Sequence, residues 1–164
     1  MANIEDMPRI LYRLQKAVDP VALSKLGANN FAGLIKRRIF NEGKDAHGRP
    51  LISRSRGRRI GAYSYYYARK RLRAGRQASY VDLEFSGRLR RSMQVGKDGK
   101  EFAFGILPGI RRGDNISNVE LSQHLEKQYG KIFIASASEA DLIVEAQVKH
   151  VRKMIKKAAG GTQA

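Results

Sequence analysis

Val81-Asp82-Leu83-Glu84-Phe85-Ser86-Gly87-Arg88-Leu89-Arg90-Arg91-Ser92-Met93 opens the stretch whose reading decides the fold, and Leu121-Ser122-Gln123-His124-Leu125-Glu126-Lys127-Gln128-Tyr129-Gly130-Lys131-Ile132-Phe133-Ile134 closes it. Val81, Leu83 and Phe85 alternate with Asp82 and Glu84, the period of a half-buried strand. Ser86-Gly87 reads as a turn, and Leu89, Met93 and Val95 lead into a second extended segment. Lys97-Asp98-Gly99-Lys100 is a hairpin signal, because Asp-Gly tolerates the positive φ of a type I′ turn. The return strand, 101–107, carries Phe102, Phe104 and Ile106 on one face and Ala103, Gly105 and Leu107 on the other, which predicts cover on both sides.

Downstream, Ser117 and Glu120 form a capping box for a helix over 118–129, with Leu121, Leu125 and Tyr129 stacked on one face and Gly130 as its stop. Residues 131–134 read as a short apolar strand. Two overlapping caps, Ser136 with Glu139 and Ser138 with Asp141, start the longest helix, over about 138–158. Its inner stripe is predicted to be Ala140, Val144, Val148, Val151 and Ile155. Acids stand at its start and Lys149, Arg152, Lys153, Lys156 and Lys157 at its end, as the helix dipole favours.

Upstream, Ile4, Met7, Leu11, Leu14 and Val18 recur at helical spacing. Asp19-Pro20 is an N-cap followed by a proline at the first helical position, so a second helix starts there and runs to about Phe40. Gly27-Ala28-Asn29-Asn30 predicts a break within it, and Asn41-Glu42-Gly43 ends it. Asp45-Ala46-His47-Gly48 reads as a turn. Between 46 and 81 there is no carboxylate, but there are Arg49, Arg54, Arg56, Arg58, Arg59, Arg69, Lys70, Arg71, Arg73 and Arg76. Arg54 to Arg59 lies among Ser and Gly and is predicted to be a flexible loop; 62–74 is predicted to be a short helix stopped by Gly75, with Tyr63, Tyr66, Tyr67, Lys70 and Ala74 on one face. Arg111 and Arg112 sit in a loop over 108–118.

The sum is an α+β domain over 1–159: N-terminal helices, a small antiparallel β-meander, helices packed on one face and a long C-terminal helix. A basic arm occupies about 46–80, and 160–164 form a disordered tail. A chain of 164 residues suits one domain and is long enough to bury a core. The N-terminus is acidic and interrupted, unlike a signal peptide, and no run approaches the roughly 18 apolar residues of a membrane span. The expectation is a soluble protein that is not secreted by a cleaved signal. With no cysteine, disulfides and thiolate zinc sites are excluded.

A net charge of +17 fits a solvated basic surface or an acidic partner, which would be nucleic acid, an anionic membrane surface or an acidic protein face. The candidate contact residues are Arg54, Arg56, Arg58, Arg59, Arg69, Lys70, Arg71, Arg73, Arg76, Arg111 and Arg112. Aromatics interleaved with arginine over 63–76 suit base stacking and phosphate contact, or packing of the tyrosines with the arginines outward. His47, His124 and His150 fall in no metal-ligand spacing, and no nucleophile, phosphate-loop or dinucleotide motif is present, so neither a catalytic site nor a metal or cofactor is assigned.

Tyr63-Ser64, Tyr67-Ala68, Gly75-Arg76-Gln77, Val81-Asp82-Leu83, Ser86-Gly87-Arg88-Leu89 and Ser92, in that order, resemble the middle of the tail-completion and virion-morphogenesis proteins of tailed phages. These are head–tail joining, neck and minor tail components. Their signature is a T/S-G-x-L-x-x-S step into a hairpin, then a helix ending in an aromatic-Gly pair, an apolar strand and a last amphipathic helix. Here the carriers are Ser86, Gly87, Leu89, Ser92, Tyr129, Gly130 and Phe133, within a resemblance covering roughly 31–155. The chain departs from the pattern in having Lys131-Ile132-Phe133-Ile134 where a bulkier Pro-Phe-Leu or Arg-Phe-Leu is common, and in its heavier basic segment. The resemblance implies a structural virion protein and not an enzyme. It would form a ring of six or twelve copies in the neck, between portal or connector proteins and tail terminator or tail-tube proteins. The ring would surround the DNA path, meeting genomic DNA through phosphate only and no membrane, after assembly in the host cytoplasm. The alternative from composition is a basic nucleic-acid-binding protein of ribosomal or nucleoid type.

Overall fold

A computed structural model describes residues 8, 11, 12, 18–52, 57–109 and 116–160. The fold is α+β, with two antiparallel hairpins and a long C-terminal helix. Its elements are α1 (Pro20–Lys36), continued by a π-helical turn (Arg37–Asn41), then β1 (Arg59–Ile60), β2 (Tyr63–Ser64), α2 (Tyr65–Arg73), α3 (Arg88–Ser92), β3 (Met93–Asp98), β4 (Glu101–Ile106), α4 (Asn118–Tyr129) and α5 (Ala137–Gly160). β1 pairs with β2, and β3 with β4. α1 lies across the β3–β4 hairpin and carries α5 on its other side.

α1 starts where the sequence says it does: Asp19 Oδ1 accepts from the Val21 amide at 2.9 Å and Pro20 fills the first turn. The break expected at 27–30 is absent. Gly27 is instead a point of close approach, since a Cβ there would stand 2.7 Å from Gln147 Nε2 of α5. The helix then widens into its π turn, and Arg38, Ile39 and Phe40 are all buried there.

The core is Ile35, Ile39, Phe40, Leu51, Tyr63, Ala68, Ala78, Val81, Leu89, Met93 and Ile132, with Phe31, Phe104, Leu121, Leu125 and Tyr129 packed around it. Leu51, Tyr63, Ala68 and Ala78 come from the segment expected to be a basic arm. The described part of that segment therefore does not leave the body. It forms the β1–β2 hairpin and α2, and α2 begins at Tyr65 because Tyr63 and Ser64 pair with Ile60 and Arg59. The expected Tyr63-Tyr66-Tyr67 face is split: Tyr63 is buried, whereas Tyr66 is 85% exposed.

Three strand expectations are corrected. Residues 81–85 form no strand, because Asp82 turns inward beside Val81 and Leu83 takes φ 51, which breaks extended alternation. Residues 131–134 form none either, because their carbonyls are claimed by a side chain: Arg38 Nη2 donates to Ile132 O at 3.1 Å and to Ile134 O at 2.6 Å. β4 is covered on one side only, with Phe102, Phe104 and Ile106 inward and Ala103, Gly105 and the following Leu107 exposed. The hairpin turn also shifts by one residue. Asp98 pairs with Glu101, so Gly99 and Lys100 form the loop. Only Gly99 has a positive φ (58), the pattern of a type II′ turn.

The helix caps are as expected except at the overlapping pair before α5, where Ser136–Glu139 forms and Ser138–Asp141 does not, because Ser138 already lies within the helix. Ser117 and Glu120 make both bonds of the capping box on α4, and Gly130 ends that helix. Ser136 and Glu139 do the same for α5, at 3.1 and 2.8 Å. The packed side of α5 is not the expected one. Ile143 and Gln147 meet α1, with Gln147 Nε2 donating to Leu23 O at 3.2 Å, and His150, Met154 and, of the expected stripe, Val151 lie beside Val18 and Ala22. Val144, Val148 and Ile155 are 57%, 43% and 41% exposed. The close approach at Gly27 selects the flat amide of Gln147, and this turns the valine stripe away by about a quarter of a turn at ~100° per residue.

Arg38 closes this half of the fold. Its Nε donates to Glu139 Oε1 at 2.8 Å, with both side chains under a tenth exposed, and its Nη1 reaches Lys44 O at 3.4 Å. One guanidinium thus fastens α1, the 131–134 segment and the start of α5. Removing one partner of a buried pair strands the other, so Arg38→Ala is expected to cost about 3–5 kcal/mol. Urea unfolding followed by circular dichroism measures this. The double variant Arg38→Ala/Glu139→Ala is expected to lose clearly less than the sum of the two single losses.

Candidate functional site

Of the residues chosen as contacts for an acidic partner, Arg54, Arg56, Arg111 and Arg112 lie outside the described residues. The others lie on α2, on the hairpin before it and, for Arg76, just beyond its end. Arg69, Lys70, Arg73 and Arg76 are exposed, as are Arg58 and Arg59. Tyr65 organises two of them: the Arg58 guanidinium carbon lies 4.8 Å from its ring centroid and that of Arg69 lies 5.6 Å away, while Arg69 Nη1 donates to the phenol oxygen at 3.3 Å. Lys70 Nζ stands 5.4 Å from the centre of Phe85. Tyr66, Arg69, Lys70 and Arg73 line one shallow depression on the outer side of the helix. The result is a basic, aromatic surface on a rigid helix.

Arg71 is the exception, and its assignment as a contact residue is corrected. It is 1% exposed and points into the fold. Its Nη2 meets Asp82 Oδ2 at 2.6 Å, its Nε donates to Gln77 O at 2.8 Å and its Nη1 to Glu84 O at 2.7 Å. The guanidinium carbon lies 4.5 Å from the centre of the Tyr63 ring. Asp82 is satisfied from four directions: by Arg71, by Gln77 Nε2 at 2.6 Å, by the Tyr63 hydroxyl at 2.9 Å and by the Glu84 amide at 3.0 Å. Burial, with the Asp82 charge adding to it, pushes the Tyr63 phenol far above its usual range, so it remains a proton donor to that carboxylate. Sequence reading counted Arg71 with its neighbours. The available signal was Asp82, the first acid after the acid-free run, eleven residues beyond Arg71.

The motif residues stand next to this network. Gly87 (φ 72) precedes α3 in the left-handed region, where a Cβ would also stand 2.8 Å from Arg91 Nη1. Leu89 is in the core. Ser92 Oγ donates back to Leu89 O at 2.7 Å, and Ser92 O accepts from Leu107 N at 2.8 Å, so this serine joins α3 to the end of the β3–β4 hairpin. Tyr129 and Phe133 pack on the same core from the far end of α4 and beyond it. A cleft of about 260 Å³ lies between these parts, with Arg71, Phe85, Leu89, Leu121 and Tyr129 among its lining.

Among the described residues, no group of three or more His, Cys, Asp or Glu is placed to hold a metal ion, and no helix is long and apolar enough to cross a membrane. Comparison with known protein families, with characterised proteins and with solved structures finds no match for this chain.

The two kinds of arginine on α2 are separable by experiment. Arg71→Ala leaves Asp82 buried without its cation and is expected to cost about 3–5 kcal/mol in urea unfolding. Arg69→Glu/Arg73→Glu changes only exposed groups and is expected to stay within about 0.5 kcal/mol per site. Its retention on a heparin column is expected to fall to a lower salt concentration than that of the unaltered chain. Equal elution of the two would remove the outer face of α2 as the polyanion surface.

Proposed function

We propose that this chain is a structural protein of a tailed-phage virion: one subunit of a neck ring that joins the head connector to the tail and surrounds the DNA path. The observation that carries this reading is the order of elements. A Ser-Gly step into α3 is followed by the β3–β4 hairpin, a capped α4 ending in Tyr129-Gly130, an apolar segment through Phe133 and the amphipathic α5. This succession resembles the tail-completion and virion-morphogenesis proteins.

The physical parts suit assembly. The outer edge of β3 is unpaired within the described sheet, and a neighbouring subunit can extend it, whereas the edge of β4 is met at Phe102 by Ser24 of α1. The outer face of α2 offers exposed cations on a rigid helix to an acidic surface. A conduit lined with such charge would grip phosphate and slow the passage of DNA. The face therefore serves best as a contact with an acidic neighbour, either another copy of this chain or a portal, connector, tail-terminator or tail-tube protein, with DNA phosphate as the lesser use. The ring would hold six or twelve copies, assembled in the host cytoplasm and kept in the virion.

A second reading, a basic nucleic-acid-binding protein of ribosomal or nucleoid type, is favoured by one observation: Tyr66 stands exposed among Arg69, Lys70 and Arg73, the composition of a stacking and phosphate surface.

Purified virions and binding assays separate the two. The neck reading expects the chain in tail-bearing particles at a fixed multiple of the portal ring, and its capture by connector or tail-tube proteins at physiological salt. Its absence from particles, together with failure to bind either neighbour, overturns that reading. Tight binding to free duplex DNA or RNA, with an affinity that falls steeply as salt rises, would establish the second.

A further inference from the structure

The outward stripe of α5 has the marks of a self-association surface. Ala140, Val144, Val148, Val151 and Ile155 follow one another at spacings of four, four, three and four, and all but the half-buried Val151 are exposed. At 1.5 Å per residue they form an apolar strip roughly 22 Å long. On one side the strip is bounded by the residues packed against α1. On its free side stand Asp141, Glu145, Arg152 and Lys156, all exposed and none of them in an ion pair among the described residues, with the exposed Lys149, four residues after Glu145, beside them.

The arrangement of those four charges selects the occupant. Asp141 and Glu145 are an i,i+4 pair of like sign, and so are Arg152 and Lys156. Both are unfavourable in a helix left alone in water. A parallel partner helix of the same kind would set like charge against like. An antiparallel copy places Asp141 opposite Lys156 and Glu145 opposite Arg152, and both pairings share one centre between Val148 and Lys149. The apolar strip has nearly the same centre: Ala140 faces Ile155, Val144 faces Val151, and Val148 faces itself. The charges centre half a residue to one side of Val148 and the outer apolar pairs half a residue to the other, so a two-fold axis at Val148 serves both to within about 1 Å. Helix-dipole complementarity accounts for acids first and bases last, but not for their lying on the one free edge of an uncovered valine stripe.

We propose that two copies of this chain associate through α5, antiparallel about a two-fold axis at Val148. Such an isologous contact differs from the head-to-tail contact that closes a ring. It stands whether or not the neck reading holds, and within that reading it would pair subunits across two rings.

The full chain has no cysteine, so single introduced thiols report the geometry. Val148→Cys is expected to give a disulfide-linked dimer under mild oxidation, and Val144→Cys to cross-link with Val151→Cys in a mixture faster than with itself. In sedimentation equilibrium, Glu145→Lys and Arg152→Glu are each expected to weaken dimerisation by about tenfold, since each turns attractive pairs into repulsive ones. The double variant Glu145→Lys/Arg152→Glu is expected to recover it. Circular dichroism confirms that each variant is folded. Three results would each overturn the proposal: a chain monomeric up to millimolar concentration, a charge-swapped double no better than its parents, or dimerisation that strengthens when residues 1–17 are deleted. The last would mean that the chain's own N-terminal segment covers the stripe.

Discussion

Carboxylates are scarce in this chain, and their placement governs the fold. With 32 Lys and Arg against 15 Asp and Glu, the cations outnumber the acids by 17. Among the described residues three acids are nevertheless buried, and each holds one arginine: Asp45 with Arg49, Asp82 with Arg71 and Glu139 with Arg38. An ion taken out of water costs several kcal/mol unless its lone pairs and protons are all used. That constraint explains why each pair sits within a set of backbone bonds. Asp45 shows the balance: burial raises the carboxyl, but the bonds from Arg49 and the His47 amide outweigh it and hold it below its ordinary range. Its contribution is therefore present above the unfolded carboxylate pKa and is lost as pH falls through the lower folded value.

These pairs also do what strands would otherwise have done. Residues 81–85 and 131–134 were expected to join a sheet, and both instead run as irregular chain over the core. Irregular backbone there needs partners for its carbonyls. Arg71 supplies them at Gln77 and Glu84, and Arg38 at Lys44, Ile132 and Ile134. A guanidinium suits this task because its donors lie in one plane and point in several directions. A neutral side chain of the same size would fill the space but leave those carbonyls unsatisfied. The π turn after α1 serves the same end, placing Arg38 inward together with Ile39 and Phe40.

What could be read from the sequence was local. The Asp19-Pro20 start of α1, the Ser117–Glu120 and Ser136–Glu139 caps, and the Gly130 stop each depend on residues a few positions apart, and each stands as read. What could not be read depends on distant partners. Arg38 and Glu139 are 101 residues apart, and nothing near either one announces the other. Gly27 looked like a helix break because its reason, Gln147 of α5, lies at the far end of the chain. The inner face of α5 is hidden for the same cause: its most apolar stripe is not the packed one, since the contact with α1 is made by Ile143 and Gln147. For the candidate site, the exposed cations of α2 were identified from composition alone, whereas Arg71 cannot be told from them without knowing where Asp82 points.

The same scarcity bears on partners. With Asp45, Asp82 and Glu139 taken by the interior, no ion pair among the described residues neutralises Arg69, Lys70 or Arg73, and the outer face of α2 carries net positive charge. On α5 the sign of charge instead reverses along one edge beside an apolar stripe. A uniform basic face attracts any polyanion and gives little orientation. A reversing edge beside an apolar stripe accepts a partner in one register and repels the others. The first therefore suits attraction to a large acidic neighbour, and the second suits a defined contact between identical chains. An assembly that has to be both recruited and ordered needs both kinds, and α2 and α5 keep them on separate elements.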